Sequence, residues 1–264
     1  MSSAPKLTAT EHFNKTADKY EATTGGATRE LAHHAISFIA DLKPLTSESK
    51  ILDNACGTGI VTDIILKSGI QPEIHAIDVA ENMVSIARDR FASHPNVHAA
   101  AMAGEELSFL TTPSPTPLRT SASLAVVTGW TMMEHIKIIQ EVQAQIRPND
   151  TPFKPPVPDI WLDPEHTKAV LSGAGLDVHT STVVDVHLGG ETADGVADLL
   201  THGFGSRAFE SWGEEEKEKG AAVMKKIVRE RAVPFTRPSG SGVGIKVTGT
   251  IFVARKGSGR VLGS

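Results

Sequence analysis

Residues 51–59, ILDNACGTG, constrain the fold more than any other part of this sequence. A short apolar strand runs into a turn whose glycines let the backbone approach a ligand, and a helical pattern follows at 60–67. In open α/β sheets, ligands bind at the carboxyl ends of the strands, where N–H groups of the next helix point toward them. The stretch therefore predicts a ligand-binding turn, with a simple tight turn as the alternative.

The segments after this turn continue the alternation of strand and helix. EIHAID (73–78) and NVHAAAM (96–102) have strand patterns, and residues 80–91 between them have a helical one. The alternation predicts the α/β fold class, with a doubly wound, mostly parallel Rossmann-like sheet. Strand patterns at 178–188 and 245–256 predict a terminal antiparallel strand, and the first dozen residues have no periodic pattern. We predict a single domain made of cap helices (1–48), a core (49–130) and a C-terminal half with substrate-cap helices (131–264).

Charge and cysteine content argue against several classes of partner. The net charge is −5 and no block of basic residues marks one segment, so we expect no nucleic-acid partner. Cys56 is the single cysteine, which excludes an intramolecular disulfide and fits a reducing compartment. No apolar run has the length of a membrane span and the N-terminus lacks a secretory pattern, so we expect a cytoplasmic protein without membrane contact.

Asp78 is a second candidate ligand group, because it closes the second strand pattern. A carboxylate there can accept both ribose hydroxyls of an adenosine ligand, and capping of the next helix is the alternative. A dinucleotide fingerprint requires a third glycine where this chain has Thr62. Asp53 at the end of the first strand would repel a pyrophosphate and attract the ammonium and sulfonium of S-adenosylmethionine (SAM). The residues thus predict SAM as the cofactor.

The motif LDNACGTG resembles the first motif of class I SAM-dependent methyltransferases of the ubiquinone-biosynthesis type, and is most similar to fungal members acting on secondary metabolites. FNKTADKYE (13–21) resembles the entry segment of that family, and AIDVAENMV (76–84) resembles its second motif. The resemblance implies a cofactor site in which Asp53, Gly57 and Gly59 hold the methionine end of SAM, with Asn54 and Ala55 in the same turn. It also implies that Asp78 binds the ribose and that Tyr20 lies over the cofactor. Met83 and Met102 would lie beside the adenine.

Two departures from the family pattern bear on activity. Ala103 stands where family members usually have an aspartate that meets the adenine amino group. The stretch SFLTTPSPTPLRTS (108–121) stands where the family has a fourth strand–helix unit, so that unit is missing here. With one choice of codons, the family-like sequence FPDNTFTHSITNF read one base out of frame gives residues 109–120. We therefore propose that this stretch is an out-of-frame reading, and a proline-rich surface loop is the alternative. Without this unit, either backbone N–H and C=O groups of the first strand stay unpaired, or the strand at 124–130 pairs with the first strand instead.

The sequence offers three candidates for a catalytic base. Glu134, His135 and His187 lie near the ends of predicted strands, and a phenol or carbon acceptor requires such a base. A solvated surface position is the alternative for each of them. Aromatic residues that could wall an apolar acceptor pocket, or belong to the core instead, are Trp130, Trp161, Phe204 and Trp212. The histidines have no metal-ligand spacing, so we expect no metal.

The predicted function is SAM-dependent transfer of a methyl group to oxygen, nitrogen or sulfur of a small apolar metabolite. The alternative is a methyltransferase-like protein without transfer activity, such as a truncated or frame-shifted isoform or a binding scaffold, which Ala103 and the missing unit favour. An NAD-dependent reductase is disfavoured by Thr62 and by the lack of a Tyr-x-x-x-Lys pair, since Tyr20 is the only tyrosine. The sequence predicts neither the acceptor nor the oligomeric state.

Overall fold

The computed structural model describes residues 8–104, 124–155 and 157–256. The helices are α1 (Ala9–Thr16), α2 (Tyr20–Thr23), α3 (Ala27–Ala40), α4 (Ile60–Lys67), α5 (Glu81–Arg90), α6 (Glu134–Ile146), α7 (Pro164–Gly173), α8 (Ala193–Leu199) and α9 (Glu214–Arg231). The strands are β1 (Lys50–Asn54), β2 (Glu73–Asp78), β3 (Val97–Ala101), β4 (Leu124–Met133), β5 (Leu176–Gly190), β6 (Val233–Arg237) and β7 (Gly240–Lys256). These elements confirm the α/β class.

The chain divides into two compact units. The first comprises Met1–Tyr20 and Ala32–Ser123, and the second comprises Glu21–Leu31 and Leu124–Ser264. The sequence predicts a single domain with internal boundaries at 48/49 and 130/131, and whether the chain folds as one domain stays a prediction.

The first unit contains the parallel sheet that the sequence predicts. Its strands lie in the order β1-β2-β3, and both pairs are parallel. The central strand β2 has Ile74 and Ile77 fully buried, as expected for a parallel strand covered on both faces. Ile74 packs in a cluster with Ile65 and Leu66 of α4, Ala87 of α5 and the Phe91 ring. Helices α4 and α5 thus bury the faces that their apolar periodicity predicts.

The second unit contains an antiparallel sheet of order β4-β7-β5, with β6 also paired to β7. The antiparallel part is larger than the predicted terminal strand, because every described strand pair after residue 123 is antiparallel. Its fully buried side chains come from both the sheet and the helices; examples are Ile138 and Ile139 of α6, Leu188 of β5, Met224 of α9, and Ile245 and Phe252 of β7. Trp212 also belongs to this core, where it packs against Phe209, whereas Trp161 is 45% exposed.

The strand at 124–130 does not take the place of the missing fourth strand. It forms β4, which pairs with β7 in the second sheet, and β1 is an edge strand within the described part of the first sheet. Two outcomes were expected for the missing unit. The described strands agree with the one in which the edge of β1 has no neighbouring strand. The segment 105–123, which carries the out-of-frame hypothesis, lies outside the described residues.

The N-terminal segment is more regular than its sequence pattern predicts. Helix α1 begins after Thr8, whose hydroxyl accepts from the Glu11 N–H at 3.2 Å while the Glu11 carboxylate accepts from the Thr8 N–H at 2.7 Å. This capping box satisfies two N–H groups at the helix start. In the described ranges, no helix combines the length and the apolar character that crossing a membrane requires.

Truncation of Ile74 tests the core of the first unit. Ile74→Ala removes a fully buried side chain between β1 and β3, so we expect the free energy of unfolding to fall by about 2–5 kcal/mol. Val79→Ala is the control, because Val79 is 52% exposed and its truncation leaves no cavity. The measurement is urea unfolding of both variants; equal losses would contradict this description of the core.

Candidate cofactor site

The turn after β1 has a backbone that glycine makes possible. Ala55, Gly57 and Gly59 have φ values of +58°, +55° and +84°, in the left-handed region. The turn is closed by the Gly59 N–H, which donates to the Cys56 carbonyl at 2.9 Å. The Cys56 N–H in turn donates to the Ile77 carbonyl of β2 at 2.9 Å. The turn is thereby fixed to the end of the neighbouring strand.

The two glycines of the turn do different things. A Cβ on Gly59 would overlap the ring of Phe91, so Gly59 permits close packing between the start of α4 and the end of α5. A Cβ on Gly57 would meet no atom within 4 Å. The backbone at Gly57 therefore has open space beside it, as a ligand-binding turn requires.

Asp53 is engaged within the protein. The side chain lies at the end of β1 and the residue is 7% exposed. Its Oδ2 accepts from the Thr62 hydroxyl at 2.8 Å and from the Thr62 N–H at 3.3 Å. Burial raises the pKa of Asp53, and the two bonds from Thr62 act in the opposite direction. Thr62, at the position of a missing third glycine, thus donates to a carboxylate and ties β1 to the first turn of α4.

Asp78 joins three segments at the end of β2. Its Oδ2 accepts from the Gly57 N–H and its Oδ1 from the Ala80 N–H, both at 2.9 Å. The N-cap residue of α5 is Ala80, so Asp78 bonds the cap residue and is not itself the N-cap. The Met102 N–H, after β3, donates to the Asp78 carbonyl at 3.0 Å. Asp78 is half-buried, and each carboxylate oxygen retains a second lone pair for a ligand.

The remaining candidate cofactor residues lie around these turns. Tyr20 packs against two clusters, one with Ala80 and Met83 and the other with Ile60 at the start of α4. Met83 is 2% exposed and is part of the core, while Met102 is half-buried after β3. Asn54 and Ala55 are exposed in the glycine turn. The structure therefore gathers these residues where β1, β2 and β3 end, and their contacts with a cofactor stay predictions.

Cys56 and Thr62 are site residues whose roles sequence patterns do not reveal. The Cys56 thiol is buried, and burial raises its pKa, with the Asp53 and Asp78 charges adding to the effect. The thiol therefore stays protonated at neutral pH. The one sequence signal for Thr62 is that this polar residue stands where a dinucleotide fingerprint has its third glycine.

The three candidate bases have different surroundings, all in the second unit. Glu134 pairs with Arg231 at 3.1 Å and with Lys137 at 3.4 Å. His135 is 5% exposed, and burial lowers its pKa to about 4. His187 is held by a carboxylate, with its Nδ1 3.1 Å from Oε1 of Glu30. Within the described ranges, no group of three or more histidine, cysteine, aspartate or glutamate side chains is arranged to hold a metal ion.

Known proteins match the part of the chain that carries this site. Residues 51–149 match the family described as a methyltransferase domain. The chain is 34% identical over 94 residues to a malonyl-[acyl-carrier protein] O-methyltransferase of Halalkalibacterium halodurans, covering 35% of this chain and 34% of the relative. It is 35% identical over 97 residues to the enzyme of that name in Acetivibrio thermocellus, covering 36% of this chain and 32% of the relative. The YcgJ protein of Bacillus subtilis has a TM-score of 0.47 at 11% identity, over 86% of this chain and 100% of that one.

The matched range covers the parallel sheet and extends into β4 and α6 of the second unit. Residues 51–149 are similar to a methyltransferase domain, in agreement with the resemblance that LDNACGTG carries. The chain spans about a third of the length of the curated relatives it matches, so their acceptor and activity as whole proteins do not carry over with the domain.

Gly59→Ala tests the fit between the turn and α5. The variant combines left-handed strain of about 1–2 kcal/mol with overlap against Phe91, so we expect it to unfold at lower urea concentration than wild type. Gly69→Ala is the matched control, because Gly69 has a φ of +90° and open space at its Cβ. If Gly69→Ala destabilises as much as Gly59→Ala, the packing role of Gly59 is refuted.

The pH dependence of stability tests the burial of His135. Its pKa is about 4 in the folded state and near 6.5 when unfolded, so the unfolded chain binds the extra proton between these values. Stability therefore falls as pH decreases through this window, by about 3 kcal/mol at most. In His135→Gln we expect a smaller loss between pH 6.5 and 4, measured by urea unfolding. His202→Gln, at an exposed site, should keep the wild-type slope.

Proposed function

We propose that this protein transfers the methyl group of SAM to an oxygen, nitrogen or sulfur atom of a small apolar metabolite. The methyltransferase domain at 51–149 supports SAM as the donor. The motif LDNACGTG further supports a relationship to enzymes of the ubiquinone-biosynthesis type that act in fungal secondary metabolism. A cytoplasmic location and a small-molecule acceptor belong to the same proposal.

The observation that carries the proposal is the bond between Asp78 and the Gly57 N–H. In a dinucleotide site, the N–H groups of the glycine turn bind the pyrophosphate. Here the carboxylate of Asp78 occupies the Gly57 N–H at 2.9 Å, and Asp53 places a second carboxyl group nearby. An anionic phosphate would be repelled by these groups, whereas the sulfonium and ammonium of SAM would be attracted.

The other contacts follow from the positions of the residues. The second lone pairs of the Asp78 carboxylate suit the ribose hydroxyls, and the open space at Gly57 suits the methionine end of SAM. Met102 would flank the adenine, and its backbone N–H, which donates to the Asp78 carbonyl at 3.0 Å, supports this role. Tyr20 packs beside Ala80 and Ile60, so its ring can cover the cofactor. Ala103 stands where family members usually have the aspartate that meets the adenine amino group, so we expect modest affinity.

Calorimetric titration with S-adenosylhomocysteine tests the cofactor assignment. We expect saturable binding by wild type and at least a tenfold loss of affinity in Asp78→Ala, since each bond to a carboxylate contributes about 1.5–3 kcal/mol. Asp89→Ala is the control, because Asp89 is an exposed aspartate of α5 in the same unit. Tight binding of NAD, or no binding of S-adenosylhomocysteine by the folded chain, would refute the proposal.

A further inference from the structure

Two asparagines join helices α1 and α5 within the first unit. Asn14 lies in the last turn of α1, and Asn82 lies in the first turn of α5. Oδ1 of Asn14 accepts from the Asn82 backbone N–H at 2.9 Å. Nδ2 of Asn82 donates to the Asn14 backbone carbonyl, also at 2.9 Å. Each asparagine side chain therefore bonds the backbone of the other residue, across 68 positions of sequence.

Both bonds use backbone groups that helix ends leave open. The first N–H groups of a helix have no partner inside it, and the side chain of the N-cap residue usually accepts from one of them. The N-cap residue of α5 is Ala80, which makes no side-chain cap bond, so Asn14 accepts from the Asn82 N–H in its place. The last carbonyls of a helix lack an i+4 donor in the same way, and Asn82 donates to the carbonyl of Asn14. Asn14 and Asn82 thus form a reciprocal cap, in which each side chain caps the other helix.

The start of α5 is shared between the reciprocal cap and the candidate cofactor site. Asp78, the candidate ribose ligand, accepts from the Ala80 N–H at 2.9 Å. Two residues further along the chain, the Asn82 N–H donates to Asn14. The short backbone segment from Asp78 to Asn82 therefore connects the candidate ribose carboxylate to α1.

Packing between α1 and α5 leads to the Tyr20 ring. Ala17, three residues after Asn14, is 5% exposed and packs against the first turn of α5 in a cluster that the Tyr20 side chain also contacts. Phe13, which precedes Asn14, meets the Tyr20 ring edge-on, with centroids 6.1 Å apart and planes at 75°. Aromatic rings favour this arrangement. The Tyr20 ring is therefore placed by residues on both sides of Asn14.

Hydrogen bonds supply what the apolar packing between α1 and α5 lacks. Burial of Ala17 draws the two helices together, but the hydrophobic effect has no direction. Hydrogen bonds have a preferred distance and angle, so the two bonds of the reciprocal cap fix how far α1 lies along α5 and how it is rotated. Both bonds are exposed to solvent, so their loss should cost the fold little while it loosens the Tyr20 ring.

We propose that Asn14 and Asn82 are positioning residues for the cofactor, because their reciprocal cap holds α1 where it places the Tyr20 ring over SAM. This inference rests on the proposed function and adds the residues that hold the ring in place. Neither asparagine has to touch SAM, since the effect passes through Ala17 and Phe13 to Tyr20. A ligand that contacts Tyr20 favours the docked position of α1, so ligand binding and the reciprocal cap stabilise each other.

A fluorine label reports directly on the ring, because Tyr20 is the only tyrosine of the chain. Incorporation of 3-fluorotyrosine gives one ¹⁹F signal. In wild type we expect S-adenosylhomocysteine to shift this signal, and in Asn14→Ala we expect a broader signal with a smaller shift. Calorimetry of the same samples should give an affinity about 3- to 10-fold below wild type, as the loss of one weak bond predicts. Melting temperature should stay close to the wild-type value.

Rescue by a conservative variant separates the cap from a general effect of substitution. The carboxylate of Asn14→Asp can still accept from the Asn82 N–H at the positive end of α5, so we expect it to retain the wild-type signal and affinity. Asn82→Ala removes the other bond and should resemble Asn14→Ala. The matched controls are Lys15→Ala in α1 and Ser85→Ala in α5, at exposed positions of the same two helices, and both should behave as wild type.

The outcomes separate this inference from the proposed function. Wild-type affinity and ¹⁹F response in both Asn14→Ala and Asn82→Ala would overturn the positioning role and leave the cofactor assignment standing. Equal losses in Lys15→Ala and Ser85→Ala, or a loss in Asn14→Ala that Asn14→Asp does not restore, would do the same. A folded wild-type chain that binds no S-adenosylhomocysteine would refute the proposed function and this inference with it.

Discussion

The carboxylate of Asp78 is the interaction on which the candidate cofactor site depends. One oxygen holds the glycine turn after β1 and the other holds the start of α5. These N–H groups lie at the ends of elements, where no helix or strand partner is available to them. If Asp78 did not accept them, each buried donor would cost about 1–3 kcal/mol, and the turn would lose its attachment to β2. The same carboxylate gives the site its negative charge.

The sequence predicts this part of the structure well because its signals are local. Glycines with positive φ, an apolar strand before them and an apolar helix after them lie within 51–67, and α4 has the bounds that this pattern predicts. The sequence also predicts the end of β2 at Asp78, because the strand pattern of EIHAID ends there. The role of Thr62 is less predictable, because its bond to Asp53 spans nine residues and depends on how α4 turns back over β1. Helix α1 also has a local signal, the Thr8–Glu11 box, which hydrophobic periodicity alone does not detect.

Local sequence patterns do not predict which strands pair in the second unit. The apolar segment that forms β4 fits a parallel or an antiparallel neighbour equally well, and its partner β7 lies more than a hundred residues further along the chain. The network around His187 has the same character, since its Nδ1 contact with Glu30 spans 157 residues and the Glu30–Arg237 pair spans 207. The sequence identifies His187 as a candidate by its place near a strand end. It cannot identify the carboxylate that holds the ring.

The buried carboxylates of this protein have two kinds of hydrogen-bond partner. Asp53 and Asp78 accept from uncharged N–H and O–H groups, so in their described hydrogen bonds neither is paired with a cationic side chain. Glu30 is neutralised by Arg237, and its remaining contacts are with His187. A buried ion pair contributes little net stability, because desolvation offsets most of the Coulomb attraction, and apolar residues of similar volume often serve as well. Folding alone therefore gives weak reason to bury Glu30 and Arg237, and the effect of their described contacts is to fix the position of the His187 ring.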